Sequence, residues 1–203
     1  MKNNWYKINL WAALLLTLVV VSACVSKKQS LVQPVAKPLY NDVSIKQGLL
    51  VYFRYSMYRH INEMPSDVSM ISKGKAGQPV AFLNHRFKGS VFDSKSYRGI
   101  GVFLTGFLKM DTPGEYWFKA MSNDGVRVTV NGQVVAFDPT VHSDRFSDIG
   151  KISIDKPGWY PLTVKYFQRK GGARLELHWQ PPGVDDFEVV PAEVFGHVYL
   201  TDN

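Results

Sequence analysis

The stretch whose residue types are best suited to chemistry is Asn123-Asp124-Gly125, within SNDGVRVTVNGQVV at residues 122–135. It puts side-chain oxygens on a tight turn at the rim of a sheet, where a metal or a sugar could be held. A local reading competes with this one, because Asn-Asp-Gly is also a preferred turn sequence whose side chains satisfy their own backbone. The residues that follow are architectural. Val126, Val128 and Val130 alternate with Arg127 and Thr129, and Asn131-Gly132 supplies the two positive-φ residues of a type I′ turn before Gln133-Val134-Val135 returns.

The second distinctive residue is Cys24, the single cysteine in 203 residues. Lys2 and Lys7 precede an apolar run from Leu10 to Val21 that ends in Ser22-Ala23. The run is shorter than the roughly 20 apolar residues of a spanning helix, so a signal peptide over residues 1–23 is expected ahead of a permanent membrane anchor. The sequence VSAC resembles the bacterial lipobox, whose cysteine receives diacylglycerol on sulfur and an acyl chain on its amino group after cleavage. A solitary cysteine makes no intramolecular disulfide, which suits a thiol consumed by lipid in an oxidising compartment. The alternative is an incidental cysteine in the hydrophobic region of an ordinary secreted protein. The resemblance to sorted lipoproteins extends to the next residue: Val25, in place of Asp, implies the outer membrane of a Gram-negative envelope.

Other chemistry is sparse. No His-Glu-x-x-His, nucleophile elbow, Walker loop or dinucleotide fingerprint occurs. The histidines His60, His85, His142, His178 and His197 are scattered, and His178 falls opposite Leu177 and Trp179, which predicts surface exposure. Asp138, Asp144 and Asp148 share the loop DPTVHSDRFSD without the spacing of a calcium loop, so a solvated connection is expected. No carboxylate pair is singled out for glycoside hydrolysis, and a non-catalytic protein is expected. Trp117, Trp159 and Trp179 are read as core, whereas Tyr55, Tyr58, Arg59 and His60 in RYSMYRH form either a partner-contacting surface or an ordinary loop. Lysine and arginine number 24 against 17 acidic residues, a formal charge of +7 with no basic block. That excludes a nucleic-acid arm and fits a basic surface near anionic lipid or polysaccharide.

The elements that must position these residues follow from pattern. Residues 24–46 are rich in Lys, Gln, Ser and Val, with Pro34 and Pro38 opposing regular pairing, and read as a flexible tether after the lipidated cysteine. One folded unit is expected over residues 47–200. Period-two segments recur there, including LLVYFRY, GVFLTGFLKM, EYWFKAMS, KISI, PLTVKYFQ and RLELHW, with no convincing amphipathic helix. Pro113-Gly114 and Pro157-Gly158 mark turns before aromatic-rich strands. The expected class is all-β, an antiparallel sandwich or partly closed barrel.

Five features in order carry a family resemblance: Gly114, Tyr116 and Phe118; Ser122 to Gly125; Asn131-Gly132; Pro157-Gly158-Trp159; and Leu175-x-Leu-x-Trp179-x-x-Pro182-Gly183. From about Gly48 to about Tyr199 the chain is similar to the PA-fourteen domain family, named after a fragment of the anthrax protective antigen. The resemblance implies a β-sandwich or barrel and a non-catalytic module of adhesins and toxins, often associated with carbohydrate. In the adhesin branch, two consecutive aspartates joined by a cis peptide hold a calcium ion that grips sugar hydroxyls. The pair here is Asn123-Asp124, and the loop that would help complete the site reads Arg169-Lys170-Gly171-Gly172. One carboxylate fewer and added positive charge both oppose calcium. SNDG is therefore expected to be chiefly a turn feeding the hairpin, with Asn123 and Asp124 as a polar ligand-binding rim and at most weak calcium binding. Two functions are carried forward. One is a lipid-anchored envelope module that recognises a glycan or envelope polysaccharide; the other is a docking lipoprotein that binds a protein partner.

Overall fold

A computed structural model describes residues 45–198; Cys24 and most of the segments expected to be signal peptide and tether lie outside the described residues. The strands are β1 (Lys46–Gln47), β2 (Leu50–Tyr55), β3 (Lys75–Ala76), β4 (Asn84–Phe87), β5 (Ile100–Met110), β6 (Gly114–Asn123) and β7 (Val126–Val130). They continue as β8 (Gln133–Asp138), β9 (Arg145–Phe146), β10 (Asp148–Ile154), β11 (Gly158–Gln168), β12 (Ala173–Gln180), β13 (Glu188–Val189) and β14 (Phe195–His197). All pairings between them are antiparallel. One layer runs β1-β14-β5-β11-β7-β8, with β2 alongside β5, and the other is built on β6 and β12 with β4 and β13 at its edges. Strand β10 pairs with β8 through Asp148 and Ile149 and with β6 through Gly150 to Ile154, so one curled sheet makes both layers.

Alternation explains the layering. Tyr116, Phe118 and Ala120 of β6 and Leu175, Leu177 and Trp179 of β12 face Tyr160, Leu162, Val164 and Tyr166 of β11 in one buried cluster. The Trp179 ring lies 5.6 Å from Tyr116 and 6.4 Å from Phe118 between centroids. The same alternation turns Trp117 outward. It is 37% exposed beneath the Lys151 ammonium, and Trp159, on the face of β11 opposite Tyr160, is only half-buried against Gly196, which corrects the assignment of both to the core; Trp179 is buried as expected. At the β7–β8 turn Asn131 and Gly132 have φ of 48° and 81°, as a type I′ hairpin requires.

The second correction is a helix, α1 (Asp67–Lys73), where none was expected. Ser66 caps it, and Met70 drops into a small cluster with Tyr58, Ile61, Met64, Phe103 and Phe167 on the outer face of the β5/β11 layer. The same cluster removes Tyr58 from any partner surface, while Tyr55 and Arg59 remain exposed and His60 accepts a hydrogen bond from the Asn62 N–H.

Candidate functional site

Strand β6 ends at Asn123, and the Asn123–Asp124 peptide that follows is cis. Besides feeding the β7–β8 hairpin, SNDG reaches beyond its own turn through Asp124. Asp124 is only 2% exposed, and its carboxylate joins two distant loops. Oδ1 accepts the His142 N–H at 3.1 Å and Oδ2 accepts the Arg169 N–H at 2.7 Å. Burial raises its pKa above the ordinary aspartate value, only partly offset by those N–H groups. Gly125 completes the junction, because a Cβ there would meet the Phe167 ring at 2.4 Å. Beneath the peptide, the Tyr166 hydroxyl donates to the Asn123 carbonyl at 2.5 Å. Burial and the Asp124 charge hold that phenol well above its usual pKa, so it remains a donor.

Asn123 opens onto a chain of charges. Its Nδ2 donates to Asp144 Oδ1 at 3.0 Å, and Asp144 Oδ2 meets Arg86 Nη2 at 2.7 Å and Arg174 Nη1 at 3.3 Å. Arg174 Nε donates to Glu176 at 2.5 Å, and Glu176 Oε2 lies 3.1 Å from His178 Nε2. Register places these groups side by side, since Arg174 pairs opposite both Asn123 on β6 and Arg86 on β4. The loop DPTVHSDRFSD is therefore no solvated connection. Asp138 takes a bidentate hydrogen bond from Arg145, His142 and Asp144 reach the rim, and of the three aspartates Asp148 alone is exposed. His178 is likewise half-buried, held by Glu176 and the edge of Phe146. Sequence reasoning missed Arg86, Asp144 and Arg174.

Both Asp144 and Glu176 lose ground to burial but are held below their ordinary pKa, Asp144 by Asn123, Arg86 and Arg174, and Glu176 by Arg174 and His178. A depressed folded-state pKa contributes stability that is complete above the unfolded value and disappears as pH falls through the folded one. Buried Asp124, with its raised value, has the opposite sign. Denaturant titrations at about pH 5 and about pH 3 should therefore show a smaller acid-induced loss in Asp144→Asn than in the parent chain. Equal losses would mean that Asp144 is not coupled to the arginines in solution.

The donor set does not fit calcium. Each Asp124 oxygen already accepts an N–H, Asp144 and Glu176 are ion-paired, and Asn123 turns its amide nitrogen to Asp144. Among the described residues no three His, Cys, Asp or Glu side chains gather as metal ligands. A divalent cation would have to displace guanidinium groups to gain the six to eight oxygens it requires.

Comparison with known proteins agrees with this architecture. The sequence profile of the PA14 domain matches residues 87–193. No curated protein matches the chain. Among solved structures, an anti-sigma factor domain-containing protein superposes with a TM-score of 0.62 at 18% identity, over 75% of this chain and 48% of its own. This chain thus spans about half the length of that protein. The PA14 domain of the MpAFP antifreeze protein gives a TM-score of 0.60 at 15% identity, covering 80% of this chain and 96% of that one. The Epithelial Adhesin 9 A domain from Candida glabrata, solved with Galβ1-4GlcNAc, gives 0.58 at 12% identity, covering 84% and 97%. At these identities the likeness is one of fold.

Proposed function

The chain belongs to the PA14 domain family, and from that premise we propose that it is a non-catalytic carbohydrate-binding module carried on a lipid anchor at the bacterial outer membrane. The observation that supports glycan recognition most is the convergence of three loops on Asn123-Asp124. The β6–β7 peptide, the 139–144 loop and the β11–β12 loop are tied together by one buried carboxylate. Such a junction presents preorganised donors and acceptors at the end of a rigid sheet, as selective recognition of hydroxyl-rich ligands requires. The Candida glabrata relative, solved with a galactose-containing disaccharide, uses the same fold for sugar and adds support. The ion-paired rim favours neither metal chemistry nor a carboxylate pair free for hydrolysis.

A glycan array probed with the whole chain, with and without a calcium chelator, tests the reading. We expect a restricted set of glycans to be bound in both conditions. Absence of binding to every glycan would favour the alternative, a docking lipoprotein for an envelope protein, to which the replacement of the first aspartate by Asn123 already lends weight. The anchor has a separate test. Mass spectrometry of the mature protein should find an acylated peptide beginning at Cys24, and a soluble mature chain that retains the residues before Cys24 would contradict it.

A further inference from the structure

We infer that the rim takes an acidic sugar, one bearing a carboxylate or phosphate, through Arg169, Lys170 and Arg86, without calcium. The inference rests on the carbohydrate-binding reading and names the chemical class of its ligand. Its starting point is a guanidinium that no acidic side chain hydrogen-bonds. Arg169 is tied by its backbone N–H to Asp124 Oδ2, so its position beside the Asn123-Asp124 peptide is fixed. Its guanidinium nonetheless has no hydrogen bond or ion pair among the described residues, and its Nε is buried without an acceptor. The Nε is enclosed by the protein, so it is the terminal Nη groups, which are not enclosed and have no partner among the described residues, that can donate to an incoming oxyanion.

Neighbouring groups add to the positive side. Lys170 is the next residue, exposed and without an ion pair among the described residues. Gly172, two residues on, lies against the Asn123 amide, where a Cβ would stand 3.8 Å from Nδ2, so the basic loop borders the rim. Arg86 spends one nitrogen on Asp144, and with 63% of its side chain exposed the rest of its donor fork faces solvent. The nearby carboxylates offset these charges only in part: Asp144 pairs with Arg86 as well as Arg174, and the Asp124 charge acts on Arg169 without a side-chain hydrogen bond, leaving Lys170 without an acidic partner among the described residues. Asp124 is bound by two backbone N–H groups, and Asp144 and Glu176 are held by Arg174.

Planar guanidinium donors match the oxygens of a carboxylate or phosphate, whereas a hydroxyl of a neutral sugar offers them only weak acceptors. In this rim the basic side chains attract an oxyanion directly, without a bridging metal. The β11–β12 loop is held for the purpose by Gln168, whose Nε2 donates to the Gly171 carbonyl at 3.3 Å.

The experiment is calorimetric titration of the whole chain with three probes: a glucuronate-terminated disaccharide, a disaccharide phosphorylated on its terminal sugar, and their neutral parent, each with calcium and with chelator. Binding of either acidic probe at least about tenfold tighter than the neutral parent, unchanged by chelator and weakened by added salt, is the expected result. The two acidic arms decide between carboxylate and phosphate. Arg169→Gln should cost about tenfold in affinity for the acidic probe, and exposed Lys170→Gln and Arg86→Gln a few-fold each, with a smaller loss for the neutral parent in every case. The two exposed variants keep the test valid if Arg169→Gln fails to fold. Equal affinity for acidic and neutral probes, or loss of binding with chelator, would overturn this inference and leave carbohydrate binding intact. If an acidic probe binds but none of the three variants weakens it, the assignment to this rim falls. Failure to bind any sugar, here and on the array, overturns both.

Discussion

Asp124→Ala is expected to destabilise the protein by about 2–4 kcal/mol, measured by urea denaturation, because it strips acceptors from two N–H groups at once. The His142 and Arg169 amides both donate to this carboxylate, and they belong to loops that it helps hold to the β6–β7 junction, beside the Asn123–Asp144 hydrogen bond. The loss is moderated by the cost, evident in the raised pKa, of keeping a buried carboxylate ionised. Asp124→Asn retains one acceptor oxygen and should fall between the variant and the parent. Hydrogen exchange in Asp124→Ala should accelerate over residues 139–144 and 169–172 while the β5–β11 pairing stays protected. A change below about 0.5 kcal/mol would mean that the loops are not joined through Asp124.

Phe118→Ala is expected to have an effect as large or larger, about 3–5 kcal/mol, and to lower the melting temperature by about 10 °C. Phe118 is wholly buried between the two layers, beside Tyr116 and Trp179, and no neighbour can fill its volume without leaving its own packing. Since β6 carries Asn123 five residues further on, ligand affinity measured below the new melting point should be little changed. An affinity that collapsed in a still-folded Phe118→Ala would show that the rim depends on core packing and not on its own hydrogen bonds.

How much was legible in the sequence depended on how local the cause was. The valine alternation of β7, the Asn131-Gly132 turn and the ordered motifs from Gly114 to Gly183 reveal themselves because the residues that define each lie close together. Trp117 could have been placed outward from the same alternation, given that Tyr116 and Phe118 point in. Helix α1 is seven residues long with Met70 alone buried, too short for any apolar stripe to repeat, so only its Ser66 cap was available as a signal. The rim network was the least legible part. Arg174 and Asp144 are 30 residues apart, and what brings them together with Arg86 is the β4-β12-β6 register, which no spacing in the sequence encodes. For the same reason, the loop bearing Asp138, Asp144 and Asp148 read as solvated when two of its aspartates are engaged by arginines.

The central claim, that the end of the sheet around Asn123-Asp124 is a ligand-binding rim, is tested most directly by amide chemical-shift mapping of the isotope-labelled chain titrated with the acidic disaccharide that binds it. Shifts confined to Asn123, Arg86, the 142–144 segment and Arg169 to Gly172, saturating together and persisting with chelator, are the predicted result. Shifts centred on the exposed Trp117 and Phe146 face of β6 and β9, with the rim amides unmoved, would contradict it.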